Sequence, residues 1–178
     1  MKKIVGLLVI ILSISLLSGC GNINNTNKSN DENKDNFWGE IEYVPEFELN
    51  DINGGIVSNT IFEEKEYTFI NIWGTFCKPC IDEIPILQEI YESNDNINII
   101  GIVADGEANE IKAFEMLTEL KANYVNLIPN QEFIDNFLNK AQVAPVSIIV
   151  DKQGKILETI VGSRTKAEYE DILKTYTK

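Results

Sequence analysis

The chain has 178 residues, three cysteines, no histidine and a formal net charge of −13. Its length allows one domain and little more, and its 44% hydrophobic and 9% aromatic content suits a globular core. The acidic balance argues against nucleic acid as a partner, since phosphate binding needs clustered Lys and Arg; the missing histidine removes Ser-His-Asp and Cys-His catalysis, Cys/His zinc sites and covalent c-type haem.

Met1-Lys2-Lys3 is a basic start, and residues 4–17 form a nearly unbroken apolar run. That run is shorter than the ~20 residues of a comfortable membrane span and fits the apolar region of a signal peptide. Leu17-Ser18-Gly19-Cys20 resembles the lipobox of bacterial lipoproteins, which implies cleavage after residue 19 and lipidation of Cys20. An uncleaved N-terminal anchor is the other reading, and both place the domain outside the cytoplasm, tied to a membrane. Cleavage takes the formal charge to −15, because two lysines leave and no acid does. Residues 21–36 are Asn-rich and almost without apolar side chains, so they read as a flexible tether. The expected organisation is a signal peptide over 1–19, a lipidated Cys20 and tether over 20–36, and one domain over 37–178.

The domain opens near residue 37 or 46. Residues 47–50 and 56–57 flank Asn53-Gly54-Gly55 and predict a hairpin. Residues 68–73 are a short strand rich in β-branched and aromatic side chains, and 79–92 are a helix with Pro85 as an expected kink. The continuous apolar run over 98–104 predicts a buried strand of a parallel sheet. Residues 107–122 have helical period, with Ile111, Phe114, Leu117 and Leu120 along the expected inner face. A short strand and a short helix over 131–139 follow. Residues 146–150 and 155–161 flank a turn at 151–154, and Thr165 to Glu168 form a capping box that opens a last helix to about residue 176. The β-α-β part should be parallel with a right-handed crossover, and the closing hairpin antiparallel. The fold class is an α/β sandwich with a mixed central sheet and an added N-terminal β-hairpin.

With Cys20 assigned to lipid, Cys77 and Cys80 remain to serve each other. They follow a strand and open a helix. Cys77 then faces unpaired backbone N–H groups and the positive end of the helix dipole, which favours the reactive thiolate. Pro79 suits the first turn, and Lys78 is read as adding positive charge between the sulfurs. Cys77 is therefore the expected nucleophile and Cys80 the resolving thiol. A zinc site needs two further ligands, and a structural bridge over so short a loop constrains the unfolded chain little. Glu83 stands three residues after Cys80 on the same helix face, and burial there would raise its pKa and fit it for proton transfer.

The segment from Trp73 to Cys80, preceded by Phe69-Ile70-Asn71-Ile72, resembles the active-site segment of the TlpA/ResA-like branch of thioredoxin-fold proteins. Val143-Ala144-Pro145-Val146 resembles that family's cis-proline loop, and residues 151–155 its Asp-x-x-Gly-Lys turn; the resemblance covers roughly residues 46–174. It implies a thioredoxin-like fold and a redox-active Cys77–Cys80 disulfide. It further implies a catalytic Glu83, a cis Ala144–Pro145 bond, substrate contacts at Trp73, Ala144 and Pro145, and no cofactor or metal. Two departures stand out. Asn71 replaces thioredoxin's buried aspartate and cannot take a proton, which shifts that role toward Glu83; Phe76 replaces the usual tryptophan.

The resemblance implies an enzyme that reduces disulfides in exported proteins, such as apocytochrome c or a methionine sulfoxide reductase. Its electrons would come from a membrane thiol carrier of the CcdA type. A disulfide-forming oxidase uses the same motif in the other direction, and the two differ in reduction potential. A peroxiredoxin-type peroxidase fits less well, because Thr75 lies only two residues before Cys77 and the sole arginine is Arg164. A binding lipoprotein with a dormant cysteine pair is the remaining reading.

Overall fold

The computed structural model describes residues 37–177. The expected signal peptide, Cys20 and the tether lie outside the described residues. Seven strands form one sheet in the order β2-β1-β5-β4-β3-β6-β7. At its centre lie β3 (Tyr67–Trp73) and β4 (Ile97–Val103), neither of which has an exposed residue. Both are short apolar runs rich in β-branched side chains, which suit a pleated surface covered on both faces. They pair in parallel from Tyr67 opposite Ile97 to Trp73 opposite Val103. On the other edge of β3, β6 (Val146–Asp151) runs antiparallel and is followed by β7 (Ile156–Val161). The hairpin β1 (Glu48–Asp51) and β2 (Ile56–Ser58) joins the far edge through β5 (Val125–Ile128). The expected mixed sheet and added hairpin are both present.

Alternation along the strands divides the core. Ile70, Ile72, Ile100, Ile102, Val146 and Ile148 face one side, where they meet Trp38, Phe62, Phe133 and Phe137. Phe133 belongs to α3 (Gln131–Asn136), capped by Asn130; the expected helix over 131–139 ends there and continues as a 3-10 turn, Leu138–Lys140. Trp38 stacks on Phe137 with ring centroids 4.5 Å apart and donates its indole N–H to Thr159 Oγ1 at 3.1 Å. Phe69, Ile99, Ile149, Trp73 and Val103 face the opposite side, covered by α1 (Lys78–Ser93), α2 (Gly106–Glu119) and α4 (Lys166–Leu173). The Thr165–Glu168 capping box is formed.

The inner face of α2 differs from the sequence expectation. Ile111 is 77% exposed and Phe114 45%, while Ala113 and Leu117 are buried. Leu117 faces inward as expected, but a strict spacing of three drifts by about 60° per step on a 3.6-residue helix, so Ile111 and Phe114 lie off the stripe that Ala113 and Leu117 occupy. Small residues then set the approach: a Cβ on Gly106 would lie 2.9 Å from Ile128 Cδ1 and 3.0 Å from Val103 Cβ.

Among the described glycines, Gly101 has the least room for a side chain. A Cβ there would lie 2.0 Å from Asn126 Oδ1, the atom that accepts the Trp73 indole N–H at 3.0 Å. Gly101→Ala is therefore expected to break that bond and cost about 1–3 kcal/mol, the range for overpacking a core. Urea denaturation followed by tryptophan fluorescence should show a lower midpoint with an unchanged slope.

Candidate active site

The main chain leaves the sheet at Trp73, turns, and re-enters regular structure as α1. Cys77 N–H donates to Gly74 O at 3.0 Å and closes the turn; Ile81 N–H donates to Cys77 O at 3.1 Å and starts the helix. Cys77 is the N-cap residue, with extended φ/ψ and no side-chain capping bond, and Pro79 lies in the first turn. The free N–H groups of that turn stabilise negative charge on the Cys77 sulfur. Cys77 and Cys80 are joined by a disulfide with Cα atoms 5.3 Å apart. Cys77 keeps 7% exposure and Cys80 none, so an incoming thiol reaches only Cys77.

Lys78 does not lie between the sulfurs. It points to solvent and pairs with Asp82 on the next turn, so the helix end, rather than a free cation, provides the local positive field. Trp73, expected among the substrate contacts, has no exposed surface, because its indole is held inside by Asn126. The aromatic side chain on display is Phe76, which is 72% exposed.

Two residues that the sequence reading did not single out hold the turn. Asp105, just after β4, accepts from Thr75 N–H at 2.9 Å and from the Thr75 hydroxyl at 2.6 Å. Lys112 on α2 donates to Thr75 O at 3.2 Å. Every polar group of Thr75 is thus engaged, and the backbone leading into Cys77 is fixed from the α2 side. Asp105 in turn is placed by β4, whose successor Ala104 donates its N–H to Trp73 O at 2.7 Å.

The Ala144–Pro145 bond is cis. Ala144 packs against the cluster that contains Cys77 and Cys80, and Gly162 N–H donates to Pro145 O at 2.8 Å. Val143, one residue earlier, is half exposed. The pairing of Val146 with Ile72 brings this loop to the same end of the sheet as the cysteines.

Behind the disulfide, Glu83 is 1% exposed. Its Oε1 accepts from Asn71 Nδ2 at 2.8 Å, and its Oε2 accepts from the Tyr169 hydroxyl at 2.7 Å. Asn71 Nδ2 also donates to Ser147 Oγ at 3.0 Å. Burial pushes the Glu83 pKa above the usual carboxylate range, while the Tyr169 and Asn71 donors and the charge of Arg164 pull against it. Asn71 is therefore the neutral neighbour of the titrating group, as its amide requires. Tyr169 lies 86 residues from Glu83, a separation no local motif bridges.

Residues 42–159 match the AhpC/TSA family. A thiol-disulfide oxidoreductase ResA of Bacillus thuringiensis subsp. konkukian is 32% identical over 136 residues, spanning 75% of this chain and 76% of that protein. In structure the chain is similar to a thiol:disulfide interchange protein of the thioredoxin family from Chlorobium tepidum TLS. That match has a TM-score of 0.64 and 22% identity, and covers 76% of this chain and 96% of the other. The pneumococcal exposed lipoprotein thioredoxin Etrx1 from Streptococcus pneumoniae matches with a TM-score of 0.61 and 20% identity, over 74% of this chain and 99% of the other.

Glu83 keeps its proton to higher pH folded than unfolded, so its contribution to stability is complete below about 4.5 and is lost as pH rises through the folded-state value. Glu83→Gln keeps a neutral group at every pH. In urea denaturation its stability should rise relative to the native protein as pH increases above about 4.5. A difference that stays flat or reverses over that window contradicts the shift.

Proposed function

The chain belongs to the AhpC/TSA family and is a thioredoxin-fold thiol–disulfide oxidoreductase, and from that premise we propose that it reduces disulfides of exported proteins while tethered to a membrane through Cys20. The observation that carries the reductase chemistry is a disulfide at the N-terminus of α1 with one accessible sulfur and a buried carboxyl one turn behind the other.

In the reduced enzyme the Cys77 thiolate attacks one sulfur of the substrate disulfide. The other substrate sulfur leaves as a thiolate, and a mixed disulfide forms. Glu83 takes the proton of the Cys80 thiol. The Cys80 thiolate then attacks the Cys77 sulfur, and the second substrate sulfur leaves. Two electrons have passed to the substrate, and Cys77–Cys80 is left as the disulfide. A membrane thiol carrier of the CcdA type restores the dithiol by the same steps in reverse, with Glu83 returning the proton to Cys80. Phe76, Val143 and the Ala144–Pro145 backbone form the surface on which substrate lies. Apocytochrome c and methionine sulfoxide reductase are the candidate clients.

The lipobox-like Leu17-Ser18-Gly19-Cys20 supports the tether, as does the likeness to an exposed lipoprotein thioredoxin. Among the described residues no helix is long and apolar enough to cross a membrane. The commitment of the Thr75 hydroxyl to Asp105 speaks against a peroxidase role for that residue.

Cys80→Ser is expected to accumulate mixed disulfides on Cys77, and mass spectrometry of the adducts should identify an exported substrate and the electron donor. Cys77→Ser should abolish both trapping and activity. A midpoint potential above about −150 mV, in the range of a strong periplasmic oxidant, overturns the reductase direction in favour of the oxidase.

A further inference from the structure

The buried polar groups around Glu83 form a hydrogen-bonded chain across four elements. Asn71 on β3 donates to Glu83 Oε1 on α1 and to Ser147 Oγ on β6. Tyr169 on α4 donates to Glu83 Oε2 at 2.7 Å. Tyr169 has no exposed surface, and its ring meets Phe69 edge-on with centroids 5.4 Å apart. Each oxygen of the carboxyl thus has one donor from a different element, and the donor on Oε2 comes from the last helix of the fold.

We propose that Tyr169 is a positioning residue for the disulfide chemistry: its buried hydroxyl fixes the Glu83 carboxyl behind Cys80 and sets the pH at which that carboxyl exchanges protons with the thiol. This rests on the proton-carrying role given to Glu83 above. The groups facing Glu83 are few. Asn71 and Ser147 are neutral, and Cys77 and Cys80 share its helix. Arg164 acts at a distance as a positive charge, and Tyr124 reaches it from the lead into β5. Burial and the nearby carboxylate hold the Tyr169 phenol in its protonated form, above the ordinary tyrosine value. Its hydroxyl is therefore a constant donor over the working pH range. A donor to the ionised carboxylate favours ionisation, so it offsets part of the burial cost. Without it the carboxyl would hold its proton to higher pH, and the step that needs the Cys80 thiolate would slow near neutrality.

Stopped-flow mixing of reduced protein with the aromatic disulfide DTNB reads that step as release of the second thionitrobenzoate. In the native protein the rate should rise with pH and break at the Glu83 ionisation. Tyr169→Phe keeps the ring packing and removes the donor. Its break should move up by about one to two pH units, the equivalent of one hydrogen bond to a charged group. Glu83→Gln should lose the break. If Glu83→Gln loses it while Tyr169→Phe leaves it in place, the Tyr169 proposal is overturned and the Glu83 reading stands. If Glu83→Gln keeps it, the Glu83 reading itself fails. Should Tyr169→Phe not fold, 3-fluorotyrosine placed at 169 by codon suppression gives a stronger donor in the same volume. The break must then move down, and an unmoved or rising break overturns the proposal.

Discussion

Nearly every part of the site hangs on the pairing of β3. The strand is bonded along both edges, to β4 on one side and β6 on the other, and it has no freedom to shift register. A slip of one residue would turn each side chain to the opposite face. That rigidity has four local effects. It ends the strand at Trp73 and so fixes where α1 begins. It sets Asn71 beside Ser147 and under Glu83. It places Val146 against Ile72, which brings the proline loop beside the cysteines. Through the Ala104–Trp73 bond it delivers Asp105 to the turn. The chemistry is carried by mobile electrons and protons, but the frame that times them is a fully buried strand.

The redox segment was legible in the sequence because its physics is local. Two cysteines at this spacing, a proline in the first turn and a preceding apolar strand each restrict the backbone within a few residues. Glu83 was legible by helical spacing, and Pro145 by its surrounding segment. Three features were not legible, for different reasons. Tyr169 reaches Glu83 only through the packing of α4 on α1, which no nearby residue announces. The inner face of α2 is only partly that of the apolar spacing, because a strict interval of three drifts around a 3.6-residue helix and small Ala113, rather than Ile111 or Phe114, meets the sheet. The orientation of Trp73 is the third, because the motif says where it falls in the chain but not which way the indole turns. Asn126, from a different strand, decides that.

Charge at the site is arranged with restraint. The chain is strongly acidic, yet the nearest lysine to the sulfurs is neutralised by Asp82, and the other nearby cation, Lys112, is engaged with the Thr75 carbonyl. The nucleophile is favoured by backbone dipoles instead, which are fixed in direction and do not depend on a flexible side chain. The carboxyl behind it is held by neutral donors. Arg164 acts on that carboxyl only from a distance, and neither group is held in a direct ion pair.

The hydrogen bond that joins Glu83 to Tyr169 spans 86 residues of sequence. At a synthesis rate of about 5–20 residues per second, the 89 residues from Cys80 to Tyr169 take roughly 4–18 s to make. During that interval the sulfurs are present and the Oε2 donor of Glu83 is not. Glu83 therefore gains its Oε2 donor only when α4 packs on α1, a contact that no local segment can make by itself.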